Sequence, residues 1–262
     1  MKEQPQRVEL SDVKGMFGES ATGKRERDED YIACGQFGNL RVGVLCDGMG
    51  GGRDGDLASE AVARAFITGL RNLESEISDR WLDEEIRFAA ISEVIGHCHE
   101  VVNSMAGGSG LSGTTLTAVV STYEGGSISL VDLIHIGDSR CYRICEGSPY
   151  LLTNDHSVTG DMVRADYIKI HEIEETSGKN TLTRNIGDEA SSAAEITSLD
   201  PEEGVCFLLC CDGVWGPLHG ASGLWLPESE LCSQESARII VEKSIERGST
   251  DNCSVLMVDL SA

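Results

Sequence analysis

No apolar stretch in the 262-residue chain approaches the ~20 residues needed to cross a bilayer, which excludes a helical membrane span. The N-terminal Met1-Lys2-Glu3-Gln4-Pro5-Gln6-Arg7 lacks the apolar core of a secretory signal, so a cytoplasmic location is expected. Cations are also scarce: 21 Lys and Arg face 44 Asp and Glu, a net charge of −23. A general nucleic-acid binder needs a basic surface to displace counterions, and that class is set aside. The deficit does not exclude a phosphate ligand, because bound divalent cations reverse the local field. As a bare property the charge means solubility; the other reading is that some carboxylates converge on metal.

The ten cysteines include no Cys-x-x-Cys pair, and most lie inside apolar runs: Cys46 after Val42–Leu45, and Cys206, Cys210 and Cys211 around Phe207–Leu209. They are expected to be small buried hydrophobes in a reducing compartment, without disulfides. His97-Cys98-His99 resembles a zinc fragment, but neighbours along a helix face different ways, so no zinc is expected. Linker and repeat signals are absent, and hydrophobic residues make up 40%. One domain over residues 1–262 is expected.

The residues present alternate helix and strand patterns. Leu57, Ala58, Ala61, Val62, Ala65, Phe66 and Leu70 draw one apolar helical stripe. A second helix is expected from about Trp81 to Met105, with Leu82, Ile86, Ala89, Ala90, Val94, Ile95, Cys98, Val101 and Val102 inward, ended by the 106–110 loop. Two hairpins follow: Thr114–Thr122 with Ser127–Ile136, and Cys141–Cys145 with Tyr150–Thr153 around Glu146–Pro149. Residues 154–181 are polar and weakly patterned, as in a surface flap. Strands are expected again at Ala194–Leu199, Val205–Cys211 and Cys253–Leu260, with a helix at about Gln234–Arg247. The order suggests antiparallel sheets covered by helices.

Four short acids stand where apolar runs end or begin: Asp47 after Val42–Cys46, Asp138 after Ile134–Gly137, Asp212 after Val205–Cys211, and Asp251 before the last strand. If those strands are neighbours, the carboxylates converge. They would then repel one another unless they share protons or bind cations. Oxygen ligands favour Mg²⁺ or Mn²⁺ over zinc. A single Asp-Gly is usually only a turn, and the recurrence carries the argument. Upstream, Arg25-Glu26-Arg27-Asp28-Glu29-Asp30 reads as a solvated charge run, yet an Arg beside a metal pair suits a phosphate oxygen.

Other motifs lead nowhere. Gly18–Arg25 nearly matches a phosphate-binding P-loop, but Arg25 stands where Ser or Thr should hold Mg²⁺, and no amphipathic helix follows. No cysteine is followed by the glycine-rich, Arg-ended cradle that a thiolate nucleophile requires. Asn252-Cys253-Ser254 reads as a glycosylation sequon, but at the start of a strand in a cytoplasmic chain it carries no weight. His135 is expected to be a satisfied core residue, while His156, opening the flap, stays open as a general base.

Taken in order, Arg25-x-x-Asp28-Glu29-Asp30, Asp47-Gly48-Met49-Gly50-Gly51, Ser112-Gly113-Thr114-Thr115, Gly137-Asp138-Ser139-Arg140, Thr153–Ser157, Leu182–Gly187, Cys211–Trp215 and Thr250–Ser254 resemble the metal-dependent protein phosphatase family, protein phosphatase 2C type. They span about residues 8–260. The resemblance implies an α+β fold, a four-layer α-β-β-α sandwich of two antiparallel sheets flanked by helices. It implies hydrolysis of phosphoserine and phosphothreonine esters on proteins by water held between two Mn²⁺ or Mg²⁺ ions. By position, Asp47 would bridge the ions and the Gly48 carbonyl would bind one, with Asp212 and Asp251 completing the set. Glu29 would hold metal-bound water, Asp30 would belong to the metal group, Arg25 would hold the phosphate, and Asp138 would serve a third, weaker metal site. Arg25, Asp47 and Asp212 are the catalytic candidates.

Two departures stand out. Met49 replaces the His proposed as general acid in animal relatives, and a thioether cannot donate that proton. Gly216 stands where many relatives have an Asp for the third metal. The implied partners are phosphorylated proteins made by a Ser/Thr kinase, with no nucleic acid and no membrane, and the chain is expected to be a monomer. A phosphoprotein-binding pseudophosphatase and a small-molecule phosphatase are the alternatives on the same fold.

Overall fold

The computed structural model describes residues 7–10, 13–49, 54–105, 112–188, 193–201, 205–220, 223–228 and 231–260. The expected 106–110 loop, and Gly50-Gly51 of the Asp-Gly motif, lie outside the described residues.

In chain order the elements begin with β1 (Val8–Glu9), β2 (Met16–Ala21), β3 (Asp30–Phe37), β4 (Leu40–Met49), α1 (Gly55–Ile77) and α2 (Glu84–Met105). Next come β5 (Gly113–Thr114), β6 (Leu116–Glu124), β7 (Ser127–Ile136), β8 (Arg140–Cys145), β9 (Ser148–Leu151) and α3 (Val158–Arg164). The chain continues with β10 (Glu195–Leu199), β11 (Cys206–Cys210), α4 (Asp212–Leu218), β12 (His219–Gly220), β13 (Gly223–Leu224), α5 (Gln234–Glu246) and β14 (Cys253–Asp259).

The strands form one sheet in the order β1-β3-β4-β6-β7-β10, with β5 paired to β4, and a second in the order β2-β14-β11-β8-β9. Pairing is antiparallel in both, except that the short β1 runs parallel to β3. Side chains alternate along a strand, so one strand can serve two cores. On β3, Tyr31 and Ala33 join the cluster under α1 and α2, while Ile32 and Cys34 join the cluster that includes the second sheet. On the far side, Ala237, Ile240 and Val241 of α5 close that cluster. The result is the expected four-layer α-β-β-α sandwich.

The helices bury a narrower stripe than the pattern suggests. On α1, Ala58, Val62, Phe66 and Leu70 are buried, but Leu57 is half exposed in the first turn. The second helix starts at Glu84, so Leu82 precedes it and is exposed; Ala89, expected to face inward, is exposed as well, and Arg87 is buried instead. The run expected as a single strand from Thr114 is broken at Thr115, where the chain leaves β4's end and turns into β6. The second hairpin closes on two residues, Glu146 and Gly147, both with positive φ, so Ser148 and Pro149 already belong to β9.

The cysteine expectation needs one correction. Cys206 on β11 is joined to Cys232, ahead of α5, by a disulfide. Nothing in the apolar run around Cys206 announces a partner 26 residues on. The other eight cysteines are free, and all but Cys145 are buried, as expected. His97 is exposed whereas Cys98 and His99 are buried, so the three do not converge. Among the described residues no helix is long and apolar enough to cross a membrane.

Candidate metal centre

The first sheet delivers acids through β3 and β4, which are paired so that Asp30 lies opposite Asp47. Asp138 follows β7, Asp251 precedes β14, and Asp212 opens α4, a seven-residue helix that had not been expected. Asp47, Asp138, Asp212, Asp251 and Glu29 all line one cleft of about 200 Å³, together with Arg25 at its side. The convergence inferred from strand ends is therefore present. Asp30, expected among the ligands, does not line the cleft. It is buried behind Asp47, with a carboxylate oxygen within 4.8 Å of those of Asp47 and of the Cys211 Sγ.

Backbone crowding sets these positions. A Cβ on Gly48 would lie 2.2 Å from the Gly55 carbonyl oxygen, and one on Gly213 only 1.9 Å from that of Asn252. Those glycines admit neighbouring backbone. The amide of Asp47 donates to the Thr115 hydroxyl at 2.9 Å, and that hydroxyl meets Ser139 at 2.8 Å, tying β4 to the turn carrying Asp138. The Trp215 ring N–H donates to the Asp138 carbonyl at 2.9 Å. Asn252 donates to the carbonyls of Thr22 and Arg27 and accepts from the Glu29 amide, all within 2.9 Å. One side chain thus fixes the Arg25 loop against the Asp251 turn. Thr115 and Asn252 lie within matched motifs but had drawn no role, since their value is in contacts across the fold.

Electrostatically the floor is unbalanced. Loss of water, then the charges of Asp30, Asp212, Asp138 and Asp251, push the Asp47 carboxyl well above the usual range. Burial and then Asp212 raise Asp138 likewise. Asp212 is pushed up to about 6 by burial, then by Asp251 and Glu174. Asp30 is pushed up to about 8 by burial, then by Asp28, and neither of its oxygens accepts a hydrogen bond of normal geometry. Burial also raises Glu29, against the lowering effect of Arg25.

An orphaned buried carboxylate beneath four others is what a cation would relieve, so the donor set fits hard divalent ions. Cys211 is not part of that set: its thiol donates to the Asn252 carbonyl and accepts from the Ser254 amide, and burial holds it protonated. Arg25 reaches Asp251 at 2.6 Å. Met49 stands partly exposed on the cleft wall, where no proton can be drawn from it. His135 is buried and held by Thr117 and the Asn154 carbonyl, as expected for a core residue. His156 is also buried; its Nδ1 accepts from the Gly137 amide, so it supports the Asp138 turn.

The family model for protein phosphatase 2C matches residues 17–246. The chain belongs to the protein phosphatase 2C family. Among its relatives, the serine/threonine phosphatase stp of Listeria welshimeri is 28% identical over 226 residues, 84% of this chain and 85% of that protein. The PPM Ser-Thr phosphatase MsPP from Mycobacterium smegmatis, solved with cacodylate, is similar in structure, with TM-score 0.74 and 28% identity over 95% of this chain and 99% of that one. The catalytic domain of the phosphatase PstP, solved with two manganese ions, is similar at TM-score 0.68 and 25% identity, covering 93% of this chain and 96% of that one. The protein phosphatase 2C family is metal-dependent, and the carboxylate floor of this member accords with that.

Proposed function

We propose that the chain is a Ser/Thr protein phosphatase that hydrolyses phosphoserine and phosphothreonine esters at the carboxylate cleft. The observation carrying this reading is the convergence of five acids on one small cleft beside an arginine, above an unpartnered Asp30. Asp47, the Gly48 carbonyl, Asp212 and Asp251 would hold two Mn²⁺ or Mg²⁺ ions, with Glu29 at their edge and Asp30 supporting Asp47 from behind. When bound, such ions supply Lewis-acid charge neutralisation of the phosphate and acidify water.

The chain's own residues do the rest. Arg25 holds the substrate phosphate through its planar donor fork. It now pairs with Asp251, and engagement of Asp251 elsewhere frees the guanidinium for the phosphate. Asn252 keeps the Arg25 and Asp251 segments in register through its three hydrogen bonds. Met49 donates no proton, so the leaving alkoxide is protonated from another source. A third, weaker cation at Asp138 is part of the same proposal; Gly216 offers no carboxylate to it, and Glu174 is the acid that stands over Gly216. The substrates are phosphoproteins produced by a Ser/Thr kinase, and residues 154–181 act as a flap beside the cleft within a single catalytic domain.

The test is hydrolysis of p-nitrophenyl phosphate by Mn²⁺-loaded protein. Turnover is expected with Mn²⁺ or Mg²⁺, none in chelator, and none in Asp47→Asn. Undiminished turnover in chelator, or equal turnover with zinc, would defeat the reading.

A further inference from the structure

Beside the carboxylate floor lies a second chamber of about 380 Å³ that the proposed chemistry leaves unused. It shares Arg25, Asp212 and Asp251 with the cleft, so a group seated in it would adjoin the substrate phosphate. One wall comes from Glu174 and Lys179, another from α4, and a third from the run leading out of α5 to Asp251. Gly216 shapes the chamber. A Cβ there would lie 2.8 Å from the Glu174 carboxylate, so a larger residue would push that carboxylate aside.

Three cations face the chamber, and two are already matched. Arg25 pairs with Asp251 at 2.6 Å and Lys179 with Glu174 at 2.5 Å. Arg247 has no ion-pair partner among the described residues. Its guanidinium lies over the Trp225 ring, 5.5 Å from the centroid, a contact that orients the group and uses none of its N–H donors. In a chain where acids outnumber Lys and Arg by 44 to 21, an arginine without an acid partner beside a substrate cleft is not explained by surface pairing. Cations on the floor would engage Asp212 and Asp251. Arg25 would then face the phosphate, and Lys179 and Glu174 would cancel. Arg247 would remain as the uncompensated charge.

We propose that this chamber is a subsite for an anionic group that the substrate carries close to its phosphorylated residue, and that Arg247 is the specificity-determining residue that reads it. A carboxylate of Asp or Glu and a second phosphate share the chemistry required. The inference rests on the phosphatase reading above and adds a substrate preference to it.

The experiment measures kcat/KM of the Mn²⁺-loaded full chain on phosphoserine peptides in which a single Glu, Ala, Lys or second phosphoserine is scanned through the flanking positions. Hydrolysis of p-nitrophenyl phosphate by the same preparation checks the phosphatase reading separately; without it, that reading and this proposal both fall. With it, the expected result at one or more positions is an acidic over neutral preference of about threefold to tenfold, shrinking as salt rises. Arg247→Ala should bring that ratio close to one, and Arg247→Glu should invert it in favour of Lys. Preference for Glu identifies an acidic side chain as the natural occupant, whereas preference for the second phosphate alone identifies a doubly phosphorylated segment. Lys243→Ala removes a cation that also lies over Trp225 but is paired with Glu246, and should keep the ratio. Active enzyme with no acidic preference, a preference that survives Arg247→Ala, or equal loss in Lys243→Ala would overturn the proposal.

Discussion

Charge is buried in two places in this molecule, with opposite bookkeeping. Under α2, Arg87 meets both oxygens of Asp132 at 2.7 and 3.2 Å, and its remaining donors reach the Trp81 carbonyl and Ser198. Ser198 donates in turn to Asp132 at 2.6 Å. On the cleft floor Asp30 is just as buried and has no such partner, while Asp47, Asp138 and Asp212 crowd above it. A buried charge matched inside the chain is architecture, because its desolvation is repaid on folding. Like charges gathered without a counter-charge have no such repayment, so they mark where something from outside must bind.

The comparison can be broken by mutation, starting with the largest effect. Asp47→Asn or Asp212→Asn should lower p-nitrophenyl phosphate turnover by about a thousandfold or more, since several kcal/mol of charge stabilisation are lost. The metal-free melting temperature should hold or rise, because a repelling charge goes with the activity. A fall of many degrees would show that the floor is architecture after all. At Asp132 the opposite is expected. Asp132→Ala should cost about 3–5 kcal/mol in denaturant unfolding by stranding Arg87, and a loss below about 1 kcal/mol would contradict the contrast.

A smaller effect separates the regions by ligand. Mn²⁺ at about a hundred times its dissociation constant should stabilise the protein by about 2.7 kcal/mol in thermal or denaturant melts. That gain should vanish in Asp47→Asn and persist in a mild variant at the Arg87 pair such as Ser198→Ala.

The smallest effect is on pH. The Asp30 carboxyl is raised to about 8 in the folded chain, so the folded state holds a proton that the unfolded state has released. The share of Asp30 in the stability of the metal-free protein should therefore fall by about 1–2 kcal/mol as pH rises from 6.5 to 8, beside contributions of the same sign from the raised carboxyls of Asp47 and Asp138. His135, lowered to about 4 by burial, is already neutral in this window and does not mask the trend. Asp30→Asn should make the slope shallower by that share, and an unchanged slope would place the titrating proton elsewhere.

Much of this was legible in the sequence, and the misses have local causes. Asp47, Asp138, Asp212 and Asp251 each close or open an apolar run, and the apolar, β-branched runs of β6, β7 and β14 are long enough to read. The β2 strand was missed because Met16-Phe17-Gly18-Glu19-Ser20-Ala21 is short and broken by glycine and a charge. The α4 helix was missed because its seven residues include two glycines and Pro217, and show no helical period. Asp30 read as the end of a charge run just ahead of the apolar Tyr31–Cys34 strand, since only the pairing of β3 with β4 shows that the strand begins on it and buries it.

The sequence alone determined which acids, glycines and strands this protein has, and in what order, because propensity and periodicity act over a few residues at a time. Only the tertiary structure decided that Arg25 would meet Asp251 across 226 positions, that Asp30 would lie orphaned behind Asp47, and that Arg247 would face a chamber beside the cleft. Those outcomes depend on how two sheets and their helices pack, and charge placed by packing leaves no periodic trace along the chain.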